Sequence, residues 1–265
     1  MNKTHPVPSS FRDPSGFVFT KDGELFRQVN DYYKDSFDHL MESGLYKKLV
    51  SSGLLVEHEE VSADSENQEG CYKIIKPKMI PFLSFPYEWC FSQLKAAALT
   101  TLRIQDEALS HGMTLKDASA YNIQFRNGRP IFIDTLSFAT YKQGEPWIAY
   151  RQFCQHFLAP LALMSKTDIR LGLLLRDFID GVPLDLASKL LQRKTYLKPG
   201  LLMHIHLHAK SQEKHADAHR DGERKKGQQN FSKQAMRGLI DSLTSTIKSL
   251  QWNPKGTEWG DYYND

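Results

Sequence analysis

Apolar residues recur along this chain with more than one period, and the local period predicts the element in each stretch. In "GFVFTKDGELFRQV" two short apolar runs flank Asp22-Gly23, a dipeptide that favours a two-residue β-hairpin turn. From Asp35 onward Phe37, Leu40, Met41, Leu45, Leu49 and Val50 recur at helical spacing, with Gly53 as the stop. "LLVEHEEV" and "CYKIIKP" read as strands on either side of the polar loop "SADSENQEG". Two prolines make the apolar "MIPFLSFPYEW" an extended connector. The next run, "CFSQLKAAALTTLRIQDEALSHG", predicts a long helix that buries Phe91, Leu94, Ala98, Leu102, Ile104 and Leu109 and ends near Gly112.

The stretch "LKDASAYNIQFRNGRPIFIDTL" follows at once, and its Asn127-Gly128 turn joins two apolar strands. That pairing sets Asn122 and Asp134 at neighbouring strand ends, with Asp117 in the loop before them, so the three side chains are expected to converge. "PWIAYRQFCQHFLAPLALM" is apolar all round, which predicts a buried helix kinked by Pro160, and further helices are expected between 168 and 194. From residue 209 "AKSQEKHADAHRDGERKKGQQN" is a polar linker or solvated helix, and "SKQAMRGLIDSLTSTIKSL" is a helix after it. The final "QWNPKGTEWGDYYND" carries Trp252, Trp259, Tyr262 and Tyr263, rings that need something to bury against.

Composition narrows the function classes. The net charge of +3 on 265 residues, with Lys and Arg scattered through the first two hundred, gives no argument for nucleic acid, and no nucleic-acid partner is expected. Cys71, Cys90 and Cys154 are widely spaced and contain no C-x-x-C pair, which fits reduced thiols. The first residues lack an apolar signal region, and no stretch approaches the ~18 to 20 apolar residues of a membrane span. A cytoplasmic protein without a membrane partner is expected.

Phosphoryl transfer from ATP asks a protein for one carboxylate to orient the acceptor hydroxyl, and for a carboxylate and an amide oxygen to hold Mg²⁺ against the phosphates. The D-x-x-x-x-N of Asp117 and Asn122, followed by "IFID", resembles the catalytic loop and metal-binding aspartate of the protein-kinase-like superfamily, especially its small-molecule branch. That resemblance implies Asp117 as catalytic base, and Asn122 and Asp134 as metal ligands of Mg-ATP. It implies an α+β, protein-kinase-like bilobal fold: a small β-rich lobe over 16–86, a hinge at "FPYEW", and a helical lobe over 87–208. The phosphate-holding cation and its partner would be Arg27 and Glu42, with Lys73 as a spare cation. The sequence departs from the family in three places: "LK" precedes Asp117 without a histidine, Thr135-Leu136 follows Asp134, and no G-x-G-x-x-G loop exists.

A wider resemblance runs from "FRDPSGFVF" through "YEWCFSQLKAAALTTL", "LKDASAYNIQF", "FIDTLSF" and "WIAYRQFCQHFLAPLAL" to "HIHLHAKSQ". These stretches look like the N-terminal region of a bacterial family classed as class I S-adenosylmethionine-dependent methyltransferases. The resemblance implies a methyltransferase domain after "WNPKGTEWGDYYND", but no apolar strand leading into a Gly-rich turn and helix occurs in this chain. S-adenosylmethionine is therefore associated through the family, with no site here, and the chain reads as a truncated or split module. The divisions expected are a flexible 1–15, the two lobes, a linker over 209–231, a helix over 232–251 and an incomplete join over 252–265. Partners would be a nucleotide, a small-molecule or glycan-type acceptor, and a methyltransferase domain normally in cis. An active Mg-ATP-dependent phosphotransferase and a non-enzymatic helical interaction module are the alternatives. His204, His206 and His208 in "HIHLH" would share a face on a strand, yet no further ligand at metal spacing accompanies them. "HRDGER" at 219–224 has no strand or Asn behind it, and its kinase-like triplet is read as chance.

Overall fold

In the computed structural model, residues 5–7, 13–61, 70–209 and 231–253 are described. The expected hairpin is β2 (Gly16–Lys21) and β3 (Glu24–Asn30), paired antiparallel with Lys21 opposite Glu24. Asp22 and Gly23 both hold positive φ, 52° and 80°, as a turn matched to strand twist demands. β1 (His5–Pro6) adds to β2 within the segment expected to be flexible. With β4 (His58–Val61) and β5 (Cys71–Pro77) these strands form a five-stranded antiparallel sheet in the order β1-β2-β3-β5-β4.

Between β3 and β4 the single expected helix is two, α1 (Lys34–Glu42) and α2 (Leu45–Ser51). Gly44, at φ 81°, breaks the ladder between them while Leu40, Leu45 and Leu49 stay fully buried on one side. The strand expected from Leu54 begins only at His58, because Leu54–Val56 are drawn to the other lobe. Val56 N–H donates to the Phe132 carbonyl at 2.8 Å, and Phe132 N–H to that of Leu54 at 2.8 Å. This exchange ties the two lobes by backbone bonds that apolar pattern does not encode.

Beyond the connector, α3 (Phe91–Ser110) is the long helix expected, and Gly112 leaves it at φ 74°. Two short ladders follow: β6 (Met113–Leu115) with β9 (Phe138–Thr140), and β7 (Ile123–Arg126) with β8 (Arg129–Phe132) across Asn127-Gly128. The apolar run after them is α4 (Tyr150–Phe153), a π-helical stretch Cys154–Leu158, and α5 (Ala159–Lys166). Pro160 has no N–H for the preceding turn and its ring crowds a carbonyl there, so the irregularity falls just before it. Helices α6 (Leu174–Asp177), α7 (Leu184–Leu190) and α8 (Pro199–Leu201) come next.

Among the described residues the last helix, α9 (Lys233–Ser249), is capped by Ser232, whose Oγ accepts the Ala235 N–H at 3.1 Å. Lys95 on α3 donates to the Lys248 and Leu250 carbonyls at 2.8 and 2.6 Å, closing the end of α9 onto the long helix. One core runs through the helical lobe and reaches α1 and α2. Phe132, Phe138, Phe153 and Phe157 are fully buried in it, each worth ~1.5 to 3 kcal/mol against exposure. The α+β, two-lobed layout expected from the sequence is what these elements build. Trp252 is described and exposed, whereas Trp259, Tyr262, Tyr263, most of the linker and the "HRDGER" stretch lie outside the described residues.

Candidate functional site

An apolar cleft of about 250 Å³ opens where the sheet faces the connector and the β7–β8 hairpin. Val18 and Leu25 of the first hairpin form one wall, Ile75 of β5 another, and Ile133 faces them from the helical lobe. The connector supplies the edge, from Pro77 through Ile80 to Leu83. The polar groups of the lining are Arg27, Asn122, Asp134 and Thr135, with Lys78 on the connector, and Arg27 and Asp134 are in direct contact. A mostly apolar slot ending in a few convergent polar groups is the common form of a small-molecule site.

Local structure places each of these groups. The connector is held to β7 by a reciprocal amide pair, Ser84 N–H to Gln124 Oε1 at 2.9 Å and Gln124 Nε2 to the Ser84 carbonyl at 3.0 Å. Trp89 Nε1 adds a bond to Ser84 Oγ at 2.9 Å. The Asn122 carbonyl accepts the Ile133 N–H at 2.9 Å, which extends the β7–β8 ladder and brings Asn122 and Asp134 to the same end of it. Asp134 then caps the next turn, its Oδ1 accepting the Leu136 N–H at 2.8 Å.

Asp134 Oδ1 also takes Arg27 Nη1 at 2.6 Å, both side chains being mostly buried, at 13 and 16% exposure. Arg27 Nη2 lies 3.6 Å from Asp13, and the other oxygen of Asp13 lies 3.8 Å from Lys116. Lys116 donates to Ser15 Oγ and sits 4.7 Å from the centre of the Tyr33 ring. Tyr33 in turn donates its hydroxyl to the Phe138 carbonyl at 2.6 Å. Burial, with the Asp134 charge second, pushes its phenol upward and keeps it a donor.

The expected site residues take these places. Asn122, Asp134 and Arg27 share the cleft. Asp117 stands at the start of the same loop, but its Oδ1 accepts the Ser119 N–H and Gln152 Nε2, both at 2.9 Å. Gln152 Oε1 returns a bond from the Ala118 N–H at 2.7 Å, so this side chain fixes the loop. Glu42 is exposed at the end of α1, and the carboxylates around Arg27 are Asp13 and Asp134 instead. Lys73 is paired with Glu60 at 2.6 Å and lies beside the Phe37 and Tyr72 rings, off the cleft lining.

Asp13, Lys116 and Gln152 carry no signal of their own in the sequence, except that Lys116 directly precedes Asp117. The donor set at the cleft end offers a magnesium ion one carboxylate already bound by a guanidinium, and an Asn122 amide whose nitrogen donates to Ser137 Oγ at 3.2 Å. Among the described residues no three acidic, histidine or cysteine side chains gather as a metal site.

Of the histidines of "HIHLH", His204 and His206 lie on a π-helical stretch, Leu202–Leu207, and His208 follows it in helical conformation, rather than all three on a strand. His204 is bonded at both ring nitrogens, to the Tyr150 hydroxyl at 2.8 Å and Ser242 Oγ at 2.9 Å. His206 is bonded likewise, to Ser188 Oγ at 2.8 Å and Thr195 Oγ1 at 2.9 Å. Burial lowers the His204 imidazole to about 4, with His208 adding to the fall. His204 and His206 are thus buried groups with both ring nitrogens bonded.

The chain is similar to nodulation protein NoeA of Rhizobium meliloti (strain 1021), with 34% identity over 247 residues that make up 92% of this chain and 52% of the relative. It thus spans about half the length of the curated relative it matches. Among solved structures it is similar to vaccinia related kinase 3, at 12% identity and a TM-score of 0.35, over 53% of this chain and 48% of that one. No family profile matches. Among the described residues no helix is long and apolar enough to cross a membrane.

Proposed function

We propose that this chain is a kinase-like, nucleotide-binding module of a larger protein in a methyltransferase family. The observation that carries the nucleotide reading is the cleft. Its walls of Val18, Leu25 and Ile133 suit a flat heterocycle, and its polar end presents a buried arginine suited to an anionic tail. The connector at 77–83 offers backbone groups along the edge of the ring, held in place by the Gln124–Ser84 amide pair.

The methyltransferase association rests on the stretches quoted from the sequence; the relative, about twice as long, has room for a second domain of that kind. Methyl transfer belongs, in this reading, to residues other than those described. A class I methyltransferase domain is built on a largely parallel sheet with a Gly-rich turn, whereas every named ladder here is antiparallel.

Thermal unfolding with ATP and, separately, with S-adenosylmethionine tests the proposal. ATP at 100 times its dissociation constant adds ~2.7 kcal/mol of stability; S-adenosylmethionine adds none. Val18→Trp, which fills the cleft from a half-buried wall position, abolishes the ATP shift. A shift with S-adenosylmethionine and none with ATP would reverse the assignment.

A further inference from the structure

A nucleotide carries several negative charges into its site, and kinase-type sites neutralise them with divalent ions held by a carboxylate and an amide oxygen. Here the positive charge is already built in. Arg27 Nη1 rests on Asp134 Oδ1 at 2.6 Å, on the same oxygen that accepts the Leu136 N–H at 2.8 Å. Magnesium demands an octahedron of oxygens at ~2.0 to 2.1 Å, and a guanidinium in that shell is both the wrong atom and the wrong charge. Arg27 Nε is buried with no hydrogen-bond partner, so the side chain retains a donor beyond those facing Asp134 and Asp13.

A second observation concerns Asp13. Its two oxygens reach two cations from different lobes, Arg27 on β3 at 3.6 Å and Lys116 just past β6 at 3.8 Å. One carboxylate therefore already occupies the position an anion takes between them. The Asp13 side chain is 34% exposed, its contacts to the two cations are long at 3.6 and 3.8 Å, and its short bond comes from the neighbouring Ser15 N–H at 2.9 Å, so an incoming phosphate, with more charge and more acceptor oxygens, can take its place on the cations.

We infer that the phosphates of the nucleotide leave the cleft past Arg27 and rest directly on Arg27 and on Lys116, which lies beyond the cleft lining across Asp13, without a divalent cation, and that Asp13 is the internal anion these phosphates displace. The inference rests on the nucleotide reading above and adds to it the residues and the metal-independence of binding. Asp134 serves as the counter-ion that aims Arg27, a positioning role.

Titration calorimetry with ATP, in EDTA and in magnesium, separates the two. Wild type binds equally in both buffers. Lys116→Met weakens binding about tenfold in EDTA, equivalent to ~1.4 kcal/mol. Asp13→Asn tightens binding severalfold by removing the competitor, a gain that damage to the fold does not produce. Arg27→Met loses binding in EDTA and recovers part of it in magnesium, since Asp134 is then open to a cation. Binding that disappears in EDTA for wild type, or weaker binding by Asp13→Asn, overturns the inference while leaving the nucleotide site standing. No binding in either buffer overturns the nucleotide reading itself, and this inference with it.

Discussion

Two sets of polar groups lie in the interior of this molecule, and they are treated in opposite ways. In the helical lobe His204 and His206 are completely buried, and each ring nitrogen meets a hydroxyl. Around Arg27, the side chains of Asp134, Asp13 and Lys116 form a chain of ion pairs from 2.6 to 3.8 Å, with the Arg27 Nε left as an unpaired buried donor. Neutral groups with every bond made specify a packed core. Charged groups left partly exposed at the end of an apolar slot retain the capacity to exchange one partner for another. The difference separates a satisfied polar cluster from a candidate site without reference to residue type, since histidines are the more frequent metal and catalytic residues of the two sets.

The largest effect that sharpens this comparison is acid unfolding. Burial lowers both His156 and His204 from 6.5 to about 4. A histidine depressed in the folded state binds its proton more readily when unfolded, so its contribution is complete above pH 6.5 and is lost as pH falls toward 4. Each contributes on the order of 2 to 3 kcal/mol over that window. Chemical denaturation at a series of pH values checks the slope, and His204→Leu flattens its share. A stability curve level between pH 6.5 and 4 breaks the picture of neutral core histidines.

Next in size is the direct loss of a core pair. His206→Leu leaves the Ser188 and Thr195 hydroxyls without their ring partner and lowers unfolding stability by about 2 to 3 kcal/mol. ATP affinity stays within twofold of wild type. A loss of affinity larger than the loss of stability would mean that the two regions are coupled rather than separate.

The cleft is expected to show the reverse. Asp134→Asn removes a negative charge beside the phosphates while its Oδ1 can still accept from Arg27 and keep it aimed, so ATP affinity in EDTA is kept or tightened, with a stability change of about 1 to 2 kcal/mol. A magnesium-held nucleotide would lose binding in the same variant. The smallest effect is Gln124→Ala, which frees the connector from β7 and weakens ATP binding by ~1 kcal/mol through a looser edge.

Much of this architecture was legible in local chemistry. Asp22-Gly23 and Asn127-Gly128 specify their turns, and the period of α3 follows from Phe91, Leu94, Ala98 and Leu102 facing the core. β6 and β9, at three residues each, are too short to carry a period, and the diversion of Leu54–Val56 to β8 is a long-range pairing with no local signature. The site divides in the same way. Asn122 and Asp134 are brought together by a hairpin that the sequence spells out. The ion pair between Arg27 and Asp134 joins residues far apart in the chain, and Asp13 reaches it from a segment whose Pro/Ser composition reads as a loose end.

The central claim is that the apolar cleft, and no other surface of the chain, takes the nucleotide base. Photolabelling the full chain with 8-azido-ATP, followed by digestion and peptide mapping, tests this most directly. The account predicts that the label falls in the connector at 77–83 and in the hairpin at 18–25, and that excess ATP removes it. A label concentrated instead in the surface recess formed by Lys189, Arg193 and Tyr196, or one that ATP does not displace, would contradict it.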